Sequence, residues 1–88
     1  MNNINELNEY KASRSCKKCG ENRFYLLDFH HINPDEKDYG IARRAHTNLS
    51  TLMPEINKCV VLCANCHREF HYLQEKNKDF TLEEYLDA

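Results

Sequence analysis

A chain of 88 residues holds one compact domain, 1–88, yet a core of that size buries too little surface to be stable without a staple. Five cysteines are an odd number, and no stretch has the form of a secretory apolar region or a membrane span. Both facts speak against an extracellular disulfide framework and for a reducing cytoplasm. A formal net charge of -2 excludes a globally basic nucleic-acid binder, so any contact with a polyanion is local.

From Asn3 to Ala12, the apolar residues Ile4, Leu7 and Tyr10 recur at helical spacing and predict a short amphipathic helix within 1–13. Cys16-Lys17-Lys18-Cys19-Gly20 has the form of a zinc knuckle, a tight turn that aims two sulfurs at one ion, with glycine easing the exit. The aromatic and aliphatic run Phe24 to Ile32 predicts one bent strand ending at Asn33-Pro34. Between Pro34 and Asn48 the chain is polar and predicts a surface loop, anchored by Tyr39 and Ile41. Leu49, Leu52, Met53 and Ile56 give a helical pattern that Pro54 must kink or restart. Val60 to Leu62 predicts a buried strand, and Asn65 a cap for a helix reaching Tyr72 or beyond. A last amphipathic helix within 79–88, beginning after Thr81 or Asp79, carries Phe80, Leu82, Tyr85 and Leu86.

Cys16, Cys19, Cys63 and Cys66 form two Cys-x-x-Cys pairs, the usual closed shell of a structural zinc. Four thiolates leave the ion no open position, so it ties the N-terminal knuckle to the start of the long helix and performs no chemistry. Cys59 is left over beside Val60 and Val61 and reads as a core thiol. His67 and His71, four apart, share one face of a helix and suit a common cation, whereas His30 and His31 follow each other in a strand and project to opposite sides. If His30 joins His67 and His71 on a metal, His31 remains free for acid-base work. Alternatively, His67 and His71 complete a zinc site with cysteines, as in a finger that binds a single ion. His46 reads as a surface residue.

Leu27-Asp28-Phe29-His30-His31-Ile32-Asn33-Pro34, followed by Leu62-Cys63-Ala64-Asn65-Cys66-His67-Arg68-Glu69-Phe70-His71, resembles the HNH endonuclease family, in particular its zinc-stapled members common in phages and bacteria. The likeness spans residues 16 to 71, the stretch from Pro34 to Ile56 being less diagnostic. It implies an α+β chain, a small zinc-stabilised ββα-metal (His-Me finger) fold with flanking helices. It also implies His31 as the base that activates water, and His30, His67 and His71 as ligands of one divalent ion. The family's central asparagine is missing: its spacing falls on Lys58, with Asn57 one position earlier, so either Asn57 takes that role in a shifted register or Lys58 does something different.

The activity implied is hydrolysis of phosphodiester bonds in double-stranded DNA, by nicking or double-strand cleavage. Such a reaction needs a nucleophilic water and charge stabilisation at phosphorus. No cluster of carboxylates suits two metals, so one catalytic cation (Mg2+, Mn2+, Ni2+, Co2+ or Zn2+) accompanies the structural Zn2+, and imidazole ligands favour the transition metals. Asp28 is placed to support a ligating imidazole. Lys17, Lys18, Arg43, Arg44 and Arg68 are the candidate DNA contacts, Arg68 equally reading as a helix-surface partner of Glu69 or Glu75. With so few cations, intrinsic specificity is low, and any sharp site preference falls to a packaging or restriction partner. The rival reading is a degenerate zinc module that binds nucleic acid or protein without cleaving. Oligomeric state is not legible in the chain.

Overall fold

Val60 and Val61, β-branched and followed by Leu62, form the centre of strand β2 (Cys59–Cys63), which pairs antiparallel with β1 (Leu27–His31) in the computed structural model. Leu27 lies opposite Cys63 and His31 opposite Cys59. Among the described residues, four helices accompany this sheet: α1 (Ile4–Arg14), α2 (Leu49–Ile56), α3 (Ala64–Lys76) and α4 (Leu82–Asp87). The chain is thus α+β. The structure describes residues 4 to 87, so the first three positions of the expected N-terminal helix and Ala88 of the C-terminal one lie outside the described residues.

Several elements differ from expectation for identifiable reasons. Phe24–Leu26 is a 3-10 turn, closed by the Leu26 N–H on the Arg23 carbonyl at 2.9 Å, and the strand begins only at Leu27. Its partner runs out there, because Cys63 opposite Leu27 turns directly into α3. Asn65 is not the cap of α3; Cys63 is, its Sγ accepting the Cys66 N–H at 3.4 Å. The last helix starts after Thr81, the later of its two expected starts, because Thr81 and Glu84 close a capping box: Thr81 Oγ1 accepts the Glu84 N–H and Glu84 Oε1 accepts the Thr81 N–H. Pro54 does not interrupt α2, which runs unbroken from Leu49 to Ile56. In a helix of eight residues it forfeits a single bond, and the Asn57 N–H still closes on the Met53 carbonyl at 2.8 Å. The segment after Pro34 carries two 3-10 turns, Pro34–Glu36 and Ile41–Arg44, with Ile41 buried as its anchor.

Two apolar clusters hold the elements together. One joins Cys16, Leu27, Leu62 and Cys63 beneath the knuckle; the other joins Leu7 of α1, Ile41, Leu52 and Ile56. Phe29 of β1 touches both. On the far side Phe70 of α3 is fully buried, its ring 5.5 Å from Tyr85 and 5.2 Å from His30. Tyr85 in turn donates its hydroxyl to Glu69 at 2.7 Å. The sheet therefore delivers His30 onto α3 and His31 onto α2.

Candidate metal centres

The turn at Cys16–Cys19 faces the end of β2 and the first turn of α3, which brings four sulfurs together. Gly20 makes the return with φ +84°, and Ser15, just before the turn, also takes the left-handed region at φ 58°. The Sγ atoms of Cys16, Cys19, Cys63 and Cys66 all lie within 4.8 Å of one another, with Cys19 and Cys63 at 3.7 Å. A tetrahedral zinc with bonds of about 2.3 Å has sulfur-sulfur edges of roughly 3.8 Å, which the Cys19–Cys63 separation already matches. Backbone amides already point at the sulfurs, Cys19 N–H to Cys16 Sγ at 3.5 Å and Cys66 N–H to Cys63 Sγ at 3.4 Å. For Cys16, burial opposes ionisation, but the amides of Cys19, Cys63 and Lys18 prevail and draw its pKa down to about 7. Burial pushes the Cys66 thiol up to about 12. Binding of a cation therefore has to release protons from part of this cluster. Four cysteines placed this way can hold a zinc ion.

Cys59 stays apart from that cluster. It packs with Leu7 and Ile56, its thiol donates to the Glu55 carbonyl at 3.5 Å, and burial together with the Glu55 charge pushes it up to about 11.

The second group consists of imidazoles. His30 comes from β1, and His67 and His71 from one face of α3; one nitrogen of each lies within 4.8 Å of the others. His30 Nδ1 and His67 Nε2 are 3.2 Å apart, close to the edge of about 3.3 Å that two metal-nitrogen bonds of about 2.0 Å subtend in a tetrahedron. His67 Nδ1 sits 3.2 Å from Asp28 Oδ2, the outer carboxylate that typically orients a metal-binding imidazole. Burial, then the charges His67, His71 and His31 would carry, lower the pKa of His30 to about 4; burial likewise lowers His71. Both rings are thus neutral near pH 7, with lone pairs available to a cation. Such a set suits a borderline transition metal better than magnesium.

His31 leaves the opposite side of the strand. It is 9% exposed, and its Nε2 lies 2.7 Å from Oε2 of Glu55, a carboxylate in α2 that is 2% exposed. Glu55 is held from three further directions, by the Lys58 ammonium on Oε1 at 2.9 Å, by the Asp38 N–H on Oε2 at 3.1 Å and by its place in the helix. Burial alone would raise its pKa; Lys58, His31 and the Asp38 amide outweigh it and bring the group down to about 2. His31 borders two clefts. One, of about 480 Å³, is shared with Asp28, His67, Lys11 and Lys37, and the other with His30 and His71.

Of the remaining expected residues, Asn57 is exposed at the end of α2 and lines a separate cleft with Tyr10, Arg14 and Val60. Lys58 Nζ bridges Glu55, Asp38 and the Glu36 carbonyl. Arg43 and Arg44 are exposed in the turn whose neighbours Ile41, Ala42 and Ala45 line the cleft of His31 and His67, with Arg44 stacked on Tyr39. Lys17 is exposed beside the knuckle, whereas Lys18 donates to the Tyr85 carbonyl at 2.6 Å. Arg68 is exposed on α3. His46 is exposed as well. Sequence reasoning overlooked Glu55. The available signal was a lone charged residue in the eight-residue helix, one position before Ile56 and three residues before Lys58.

Comparisons with family models, with curated proteins and with solved structures find no match for this chain. The class defined by the residues themselves is therefore a small α+β chain with a four-cysteine cluster and a histidine triad, both arranged for metal binding. Among the described residues no helix is long and apolar enough to cross a membrane.

Proposed function

We propose that the chain is a zinc-stapled HNH-type endonuclease that hydrolyses DNA phosphodiester bonds with the help of one divalent cation. The observation that carries this reading is the convergence of His30, His67 and His71 next to a fourth imidazole, His31, that faces the same clefts from the other side of the strand. The order β1, β2, α3, with ligands on the first strand and on the helix, agrees with the ββα-metal fold that the sequence resembles. When bound at the triad, the cation supplies charge stabilisation for the phosphorane-like transition state and the departing oxygen. His31 accepts a proton from water. Asp28 holds His67 in ligating orientation, and Arg43, Arg44, Lys17 and Arg68 meet phosphates on either side. The four-thiolate site requires a reducing compartment, for which the cytoplasm is the natural choice.

The near-complete burial of His31 and its hydrogen bond with Glu55 favour a second reading, a degenerate module that binds nucleic acid and does not cut it. Plasmid nicking with Mg2+, Mn2+, Ni2+ and Co2+ separates the two. A nuclease loses cleavage in His31→Ala while keeping its zinc and its fold. Zinc-loaded protein that leaves plasmid intact with every ion defeats the nuclease reading.

A further inference from the structure

Resting on the hydrolytic reading above, we propose that Glu55, clamped by Lys58, is a positioning residue that fixes His31 as its Nε2–H tautomer and leaves Nδ1 to take the proton from water.

An ionised carboxylate accepts hydrogen bonds and donates none. Oε2 of Glu55 stands 2.7 Å from His31 Nε2, so that nitrogen carries the hydrogen in the neutral ring and the lone pair falls on Nδ1. Among the described residues, no buried side-chain nitrogen or oxygen is without a partner, and the ring's hydrogen bond is made through Nε2. Nδ1 therefore reaches solvent, and the clefts that His31 lines are those of the triad.

Lys58 gives the clamp its rigidity. Its ammonium has three hydrogens and three acceptors, Glu55 Oε1 at 2.9 Å, Asp38 Oδ2 at 3.0 Å and the Glu36 carbonyl at 2.9 Å. The last two belong to the loop that follows β1, so one side chain keeps the carboxylate charged and braces the backbone beyond His31. A cation stands at the position to which the resemblance assigns an asparagine, and the carboxylate it holds does the orienting. In the step this serves, a proton passes from water to Nδ1. The electron pair left on the oxygen forms the new bond to phosphorus, and the ester bond breaks with its pair on the sugar oxygen, which is reprotonated from solvent. The resulting imidazolium keeps its Nε2–H on Glu55, which stabilises the positive charge formed.

The test uses the zinc-loaded full chain with 15N-labelled histidine. Long-range 1H–15N correlation, recorded where the rings are neutral, is expected to show His31 protonated at Nε2 and bare at Nδ1. Glu55→Gln and Lys58→Met are expected to lower kcat roughly 10-fold to 100-fold, with KM and cation affinity at the triad unchanged, and Lys58→Arg to restore part of the loss. A wild-type chain that holds the Nε2–H tautomer but leaves DNA intact supports the Glu55 assignment and overturns the hydrolytic reading. One that cuts DNA with His31 protonated at Nδ1 does the reverse, as does undiminished kcat in folded Glu55→Gln. Should that variant not fold, the wild-type spectrum and Lys58→Met decide by the same criteria.

Discussion

Removing the metal from the four-cysteine site should unfold the protein outright. A domain of this length has a net stability of about 4 to 13 kcal/mol at ordinary values per residue, whereas a structural zinc on thiolates contributes about 10 to 16 kcal/mol at neutral pH. The ion's contribution is thus comparable with, or larger than, the whole net stability of such a domain. The structure explains why little remains in its absence. Cys16 and Cys63 are two of the five fully buried members of the cluster under the knuckle, so its ligands are also core residues. They tie together three segments: the 16–20 turn, the end of β2 and the first turn of α3. The assay is a chelator titration followed by near-ultraviolet dichroism of the tyrosines and by amide dispersion in 1H–15N spectra, with zinc restored afterwards. Loss of dispersion should track loss of zinc, and Cys16→Ser should behave like the chelated protein. Zinc-free protein that keeps a dispersed spectrum and an unchanged Tm would refute the reasoning, because the apolar clusters would then suffice alone.

Phe70→Ala removes the ring on which His30 and Tyr85 rest and should cost about 3 to 5 kcal/mol in urea unfolding, with weaker cation binding at the triad by calorimetry. Acid should weaken the fold through His30: its pKa is near 4 in the folded chain and about 6.5 when unfolded, so the unfolded state binds the extra proton. That contribution is complete above pH 6.5 and is lost as pH falls from there towards 4. The difference in urea midpoint between the native chain and His30→Gln over this range isolates it, since acid release of zinc is common to both. In DNA binding, the double variant Arg43→Gln, Arg44→Gln should lower the salt slope of log Kd by about 2 if both arginines meet phosphate, measured by fluorescence anisotropy from 50 to about 200 mM salt.

How much of this was legible in the sequence follows from how local each determinant is. The sulfur cluster and the His67–His71 pair could be named from spacing, since Cys-x-x-Cys turns and an i, i+4 histidine pair carry their geometry within a few residues, whereas His30 as the third member came with the family resemblance. The strand over 24–26 failed because its ending is set by the partner: β2 is five residues long and is cut short by a helix that starts on a zinc-site cysteine. The cap of α3 escaped for a related reason. Sulfur is a poor cap in isolation, and the position goes to Cys63 because the cluster fixes its Sγ above the Cys66 amide. Glu55 was hidden deeper. Its role depends on Asp38, Lys58 and His31 arriving from three different segments, and no pattern within α2 announces that.

The adjacency of His30 and His31 carries the clearest structural logic. Alternation along a strand sends neighbours to opposite faces, so two like residues in sequence acquire unlike surroundings. His30 meets Phe70 and two imidazoles, which keep it neutral and a donor of its lone pair. His31 meets a carboxylate, which directs its proton and stabilises the ring once charged. The register of the sheet is what assigns these roles. A slip of one residue that brought His30 opposite Cys59 would place it against the Glu55 carboxylate and leave Phe29 where the triad needs an imidazole. That register is pinned at the far end by Leu27 opposite Cys63, in the cluster that the sulfur site locks. The four-cysteine cluster thus bears on the placement of all three imidazoles, on His30 through strand alignment and on His67 and His71 through the start of α3 that Cys63 and Cys66 share.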